Sequence, residues 1–270
     1  MGTNRILDPE EAERLNISER IRLEQHLMDS VLVNDRLFKL PETWRFDDYM
    51  NQSPWKKHQF NFLGSLEDKV VLDLGCGYNP TSVYFARAGA QAVIAGDIST
   101  KTLAYVQKMA GINNVEDKIS VLLCAGETIP LATNSVDIVH GEGVLHHLKL
   151  KDAGKEIERV LKPGGKAVFK DPLGENPLLE FARDRLPYKW KHAAKGTDRP
   201  LTTKELKQLK AHQFHCSCSG FCLTGMLARA IWGRDLSWPQ FIFDRLDRFL
   251  LKNFPALQRY CRYVVTCVTN

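Results

Sequence analysis

The residues best suited to chemistry begin with a short glycine segment. Asp73-Leu74-Gly75-Cys76-Gly77 closes an apolar run that starts at Val70, and Pro80-Thr81-Ser82 opens a helical pattern just after it. Two glycines let a backbone approach a ligand closely, because no Cβ intervenes. The N–H groups at a helix start favour an anionic group. Asp97 ends the next apolar run, 22 residues past Gly75, where a carboxylate suits both hydroxyls of a ribose. These features describe a nucleotide-binding βαβ unit. Two departures narrow the ligand. A dinucleotide site asks for a third glycine at position 80, which is Pro80. Asp73, two residues before the first glycine, suits an ammonium better than a pyrophosphate, and an aminoacyl ligand carries such an ammonium.

The elements that must hold these residues follow from periodicity. Val70–Leu74, Ala92–Gly96, Ile119–Leu123, Val136–His140 and Lys166–Lys170 read as strands with helical patterns between them. That alternation argues for a parallel sheet covered on both faces. Before it, Ile17, Ile21, Leu23, Leu27, Val31 and Leu32 recur at helical spacing, and Trp44–Leu66 reads as a second helical stretch. After it come a basic connection between Asp171 and Arg199 and a capped helix from Thr202 to Lys210. Sixth and seventh strands are expected at Phe214–Leu223 and Tyr263–Val268. Between those two, Ser237–Phe254 reads as a helix that packs Ile242, Leu246, Phe249 and Leu250 on the core. It would turn Asp244, Arg245, Asp247 and Arg248 to water. Acidic residues on that polar face argue against a membrane role, so membrane contact is not favoured.

Composition excludes several classes. A length of 270 residues supports one large domain or one domain with a cap. No apolar run reaches the roughly 18 residues of a membrane span, and the polar segment Met1–Glu19 lacks a signal-peptide core. Seven scattered cysteines suit reduced thiols in a cytoplasm. A net charge of +5 is too mild to argue for nucleic acid as a partner, and no aromatic-basic platform for single strands is present. The stretch His212-Gln213-Phe214-His215-Cys216-Ser217-Cys218, with Cys222, has poor zinc-ribbon spacing, so no metal is expected and buried thiols on a strand are the preferred account.

At this point five blocks in order resemble one family. Val71–Gly77, Ala95-Gly96-Asp97-Ile98-Ser99, Gly126-Glu127-Thr128-Ile129-Pro130-Leu131, Ser135–Val139 with Val144–Leu148, and Arg159–Gly165 look like successive motifs of class I S-adenosylmethionine-dependent methyltransferases. The small-molecule type 11 group is the best match. The resemblance implies a Rossmann-like α/β sheet of seven strands, order 3-2-1-4-5-7-6, with strand seven antiparallel. It also implies an N-terminal helical lid over residues 1–65 and a methyltransferase domain over 66–270. A helical cap at about 224–260 would be inserted between strands six and seven. Tyr49, Trp55 and Lys57 are candidates to close the lid.

The cofactor implied is S-adenosyl-L-methionine. Gly75, Cys76 and Gly77 would contact its methionine part, with Asp73 and the Gly141 carbonyl available to the ammonium. Asp97 would hold the ribose and Ile98 would pack on adenine. The usual Asp of the adenine segment is Ala125 here, which leaves a backbone N–H near Gly126, or Glu127, to read the adenine edge. Some members of the family methylate hydroxyls with a histidine in this Leu-His-His stretch and an acidic partner after strand five. That pairing is similar to His146 as general base with Asp171 orienting it. His147 is the second choice, purely positional catalysis is the alternative, and Glu142 touches a ligand or faces water. A histidine titrates near neutrality and can accept a hydroxyl proton. The expected reaction is O-methylation of a small organic acceptor in secondary metabolism or glycan modification. Alternatives are an N- or C-methyltransferase on a small molecule or lipid, a nicotinamide oxidoreductase, which Pro80 and Asp73 oppose, and a non-catalytic S-adenosylmethionine-binding regulatory protein.

Overall fold

A computed structural model describes residues 17–30, 37–185, 199–209, 215–225 and 237–270. Val31, Leu32, His212, Phe214, most of the basic connection (186–198) and the first part of the expected cap (226–236) lie outside the described residues. Seven strands form one sheet: β1 Val70–Leu74, β2 Ala92–Asp97, β3 Ile119–Leu123, β4 Val136–Glu142, β5 Leu161–Pro172, β6 His215–Phe221 and β7 Tyr263–Thr269. Their order is β3-β2-β1-β4-β5-β7-β6, as the resemblance implied. Strands β1 to β5 are parallel, and β7 runs antiparallel to both β5 and β6.

Both faces are buried. On one, α3 (Pro54–Leu63), α4 (Thr81–Arg87) and α5 (Thr100–Ile112) bring Phe60, Leu63, Phe85, Val106 and Met109 against Val71, Val93, Ile138, Val168 and Val265. On the other, α6 (Leu150–Val160) and α8 (Thr203–Leu209) bring Ile157, Val160, Leu206 and Leu209 against Leu72, Val139, Phe169 and Val264. Alternate residues of each strand supply the two sets, as the pleat requires.

The register aligns the ends that matter. Asp73 lies beside Ala95 and His140, and Glu142 beside Lys170. Leu74, Asp97, Glu142 and Asp171 therefore all reach one edge, the carboxyl edge of the parallel strands, where open α/β sheets bind ligands. Asp137 ties the opposite edge. Its Oδ2 accepts from the Val70 amide at 2.9 Å and from Lys162 Nζ at 2.8 Å, linking β4 to both neighbours.

The N-terminal part is helical. It comprises α1 (Ile17–Ser30), α2 (Phe46–Met50) and α3. The helical stretch expected over Trp44–Leu66 comprises two helices separated at Asn51–Ser53, because Ser53 caps α3 and Pro54 occupies its first turn. Two further helices follow the sheet core, α7 (Pro177–Arg185) and α9 (Ser237–Asn253), the latter leading into a 3₁₀ turn at Pro255–Tyr260.

Helix α9 departs from the expectation in part: Arg245 and Arg248 are exposed as expected, and the departure centres on Asp247. Asp247 is buried, and its carboxylate accepts from the Leu223 amide at 2.9 Å and from the Thr224 amide and hydroxyl at 2.7 and 2.5 Å. Ile242, Leu246 and Phe249, read as core residues, are exposed. The reason is tertiary: the chain leaving β6 presents amide donors that need an acceptor, and the Asp247 carboxylate meets them.

Candidate active site

The glycine loop is held from below. Gly75 (φ +64°) and Gly77 (φ +55°) adopt left-handed backbone, which suits glycine. A Cβ on Gly75 would also stand 2.6 Å from Val144 Cγ2. The loop's amides are engaged within the protein. Gly75 and Cys76 donate to the Gly96 carbonyl at 2.8 and 3.1 Å, and Gly77 donates to Asp97 Oδ2 at 3.0 Å. These bonds curl the loop around the tip of β2, so its role is shape more than free N–H groups.

Asp97 lies almost buried at that tip, with Oδ1 accepting from the Ser99 amide at 2.9 Å. Burial raises its pKa above the ordinary value, against the amides of Ser99, Gly77 and Ile98, which lower it. A carboxylate at this strand tip could hold two adjacent ribose hydroxyls. Ile98 follows, half-buried. Gly126 is packed on Leu148, where a Cβ would meet Cδ1 at 2.5 Å. Glu127 Oε1 accepts the Lys149 amide at 2.8 Å, tying the segment after β3 to the turn after β4. Gly141 is equally crowded, with Val144 and Phe169 within 3 Å of an added Cβ.

Asp73 is more deeply engaged than its sequence position suggests. Ser82 Oγ donates to Oδ2 at 2.6 Å, and Oδ1 lies 2.9 Å from His140 Nδ1. His140 is fully buried between Phe60, whose ring is stacked at 6.0 Å, and Phe85, edge-on at 5.0 Å. Its Nε2 is buried with no hydrogen-bond partner among the described residues. Sequence reasoning missed His140 and Ser82. The signal available was a polar residue at an inward position of the apolar run Val136–His140.

Two polar groups gather at the carboxyl edge. In the first, His146 stands on a 3₁₀ turn, Leu145–His147, directly after β4. Its Nδ1 is 2.8 Å from Asp171 Oδ1, and the two side chains are 4% and 1% exposed. The same oxygen lies 3.3 Å from the His146 amide. Asp171 Oδ2 is buried without a partner among the described residues. The His147 ring lies 4.0 Å from that of His146. Sequence reasoning paired His146 with Asp171, and the fold brings them together.

The second group lies on the other face of the sheet, under the N-terminal helices. Tyr49 OH is 3.2 Å from Thr81 Oγ1, which pins α2 to the start of α4, and Trp44 stacks on Tyr84 at 5.0 Å. Lys56 Nζ sits 3.8 Å over the Tyr49 ring. Burial, followed by the charge of Glu142, pushes the Tyr49 phenol well above its ordinary pKa. Burial lowers the Lys56 pKa, although Glu142 acts to raise it. Glu142 Oε1 is buried with no partner among the described residues. Lys57, named from sequence, points to solvent, and Lys56 takes the inward place. One residue of offset turns a helical side chain by about 100°.

Among the described residues, no three His, Cys, Asp or Glu side chains gather as metal ligands. Cys216 and Cys218 pack toward the apolar cluster on the α6 face of the sheet.

The fold is a Rossmann-like α/β sheet of seven strands. Residues 72–169 match the family described as a methyltransferase domain. Protein arginine N-methyltransferase 6 of Danio rerio is 34% identical over 122 residues, 44% of this chain and 34% of that protein. A histone-arginine methyltransferase of Drosophila persimilis is 27% identical over 174 residues, 61% of this chain and 32% of that protein. The chain thus spans about a third of the length of these curated relatives. In fold, it resembles geranyl diphosphate C-methyltransferase from Streptomyces coelicolor, crystallised with Mg2+, geranyl diphosphate and S-adenosyl-L-homocysteine. The TM-score is 0.61 at 15% identity, covering 93% of this chain and 97% of that one. An S-adenosylmethionine-dependent methyltransferase from Mesorhizobium loti gives 0.53 at 16% identity, covering 82% of this chain and 100% of that one. Residues 72–169 thus match a methyltransferase domain, and the sheet has the fold of these solved methyltransferases.

Proposed function

We propose that the protein transfers a methyl group from S-adenosylmethionine to a hydroxyl of a small organic acceptor, with His146 taking the hydroxyl proton. The observation that carries this reading is the buried 2.8 Å pair of His146 Nδ1 and Asp171 Oδ1 at the carboxyl edge. The bound cofactor supplies an electrophilic methyl group on a sulfonium. Everything else falls to the chain. Gly75, Cys76 and Gly77 shape the bed for the aminoacyl part, Asp97 holds the ribose, and the segment Gly126–Glu127 borders the adenine. Asp171 fixes one tautomer of His146, with the proton on Nδ1, and leaves Nε2 as the basic atom. Helices α2 and α3 serve as the lid, with Tyr49 and Lys56 excluding water from the space before the methyl group.

A nitrogen acceptor is the second reading, favoured by Glu142. A buried carboxylate oxygen without a partner among the described residues suits a cationic or amine nitrogen, and the curated relatives named above are arginine methyltransferases. One pair of variants separates the readings. Release of S-adenosylhomocysteine is measured across a panel of hydroxyl and amine acceptors. With a hydroxyl acceptor, His146→Ala lowers kcat by about 10²–10⁴, and Asp171→Asn lowers it with an altered pH profile. With an amine acceptor, His146→Ala keeps near-full activity and Glu142→Gln loses it. Near-full activity of His146→Ala on the best hydroxyl acceptor would remove the base from the mechanism.

A further inference from the structure

We propose that helix α9 seats this protein on an anionic membrane surface. The inference rests on which face of the helix is outward and does not depend on the chemical identity of the acceptor. Asp247 anchors one side of α9 to the chain leaving β6. The opposite side exposes Phe241, Ile242, Leu246 and Phe249, each more than two-fifths accessible. The charged residues exposed with them, Arg245, Arg248 and Lys252, are all basic. Arg245 lies 5.5 Å over the Phe241 ring, so its stem runs along the apolar surface with the cation at the margin. The acidic residues that argue against a membrane in the sequence are elsewhere: Asp247 is buried, and Asp244 is half-buried.

An exposed apolar face interleaved with cations of one sign is the pattern of a helix lying in a lipid interface. Anionic headgroups are the complementary occupant, because each basic side chain near such a surface adds attraction. A soluble protein partner would match no acidic residue on this face, and its own carboxylates would have to be spaced between apolar contacts. The apolar surface extends beyond α9. Phe254 is exposed at its end, and Leu178 and Phe181 are exposed on α7. Asn176, just before α7, donates to the Tyr260 carbonyl at 2.7 Å, in the 3₁₀ turn that follows α9.

The position of the surface relates it to the reaction. β6 ends at Phe221 beside Tyr263, where β7 begins, and Tyr263 lies beside Pro172, where β5 ends. Residues 222–262 therefore leave and re-enter the sheet at the edge that carries Glu142 and Asp171. A bilayer under α9 lies on the catalytic side of the molecule, where an acceptor dissolved at the lipid surface can be reached.

The test is co-sedimentation of the full chain with vesicles of phosphatidylcholine alone and with 30% phosphatidylglycerol added, about one lipid in three carrying charge as an experimental choice on the order of natural anionic membranes. Expected is binding to the anionic vesicles that falls at high salt. Phe241→Asp with Phe249→Asp should lower it at least about tenfold. Arg245→Glu with Arg248→Glu should lower it at least about tenfold too. Calorimetry with S-adenosylhomocysteine and the melting temperature should stay at wild-type values in both variants, which separates a lost surface from a lost fold or cofactor site. Absence of wild-type binding to anionic vesicles overturns the proposal, as does equal binding by the variants. A wild-type dimer that the phenylalanine variants dissolve, without vesicle binding, overturns it in favour of a second copy of the chain.

Discussion

At the residue scale, the site depends on a few positions where only one side chain fits. Gly75 is the sharpest case. Its φ of +64° disfavours any side chain, and an added Cβ would meet Val144 Cγ2 at 2.6 Å and Cβ at 2.9 Å. Left-handed strain on a non-glycine residue costs about 1–2 kcal/mol, and overpacking adds about 1–3 kcal/mol. Gly75→Ala should therefore lower stability by about 2–5 kcal/mol in chemical denaturation and weaken S-adenosylhomocysteine binding in calorimetry. Unchanged stability and affinity would show that the loop relaxes freely. Asp73 makes the complementary point. A carboxylate placed by sequence for an ammonium is also the knot between β1, α4 and β4, through Ser82 and His140. Its replacement would disturb the loop before any ligand arrived.

At the element scale, capping decides orientation. Helix α9 has two chemically distinct sides, and its amphipathic pattern alone makes the Ile242, Leu246 and Phe249 side the inward one. The three hydrogen bonds of Asp247 reverse that choice. Removing the carboxylate with Asp247→Ala leaves the Leu223 and Thr224 donors without it, at about 2–3 kcal/mol. The expected result is a lower denaturation midpoint and faster amide exchange over α9 and residues 222–225. Wild-type exchange in α9 would mean that its apolar contacts alone dock it. A similar local rule acts at α8, where Thr202 and Glu205 cap reciprocally, with Glu205 amide to Thr202 Oγ1 at 3.2 Å and Thr202 amide to Glu205 Oε2 at 2.8 Å. Here sequence and structure agree within a residue, because both partners of the cap are local.

At the scale of the whole molecule, the sheet is stitched on its amino edge by Asp137 and shaped for chemistry on its carboxyl edge. Burial pushes the Asp137 carboxyl up, but Lys162 and the Val70 amide outweigh it and hold its pKa below the ordinary carboxylate value. A carboxyl depressed in the folded state contributes stability that is present above its unfolded pKa of about 3.9. That contribution is lost as pH falls through the lower folded pKa. Glu156 is also held low, first by its bond to Arg159. Melting temperature should therefore fall steeply only below about pH 4. Asp137→Asn should melt lower than wild type at neutral pH, with the gap closing as pH drops through that window. A gap that widens in acid would contradict the assignment. Among the described residues no helix is long and apolar enough to cross a membrane, so surface docking through α9 is compatible with this sheet.

The sequence by itself determined the order of elements around the glycine loop and the five parallel strands, from short apolar runs, glycines at a turn and the helical patterns between them. The pairing of His146 with Asp171 was implied by the family resemblance, and the fold brings the two side chains together. Only the tertiary structure decided what Asp73 binds, that His140 lies beneath the loop, that Lys56 and not Lys57 faces Tyr49, and which side of α9 meets solvent. Most of these depend on partners far apart in the chain. Asp73 and His140 are 67 positions apart, and Asp247 reaches back 23 positions to Thr224. Periodicity reports that a helix has two faces, and a buried carboxylate meeting distant amide donors selects the one that turns inward.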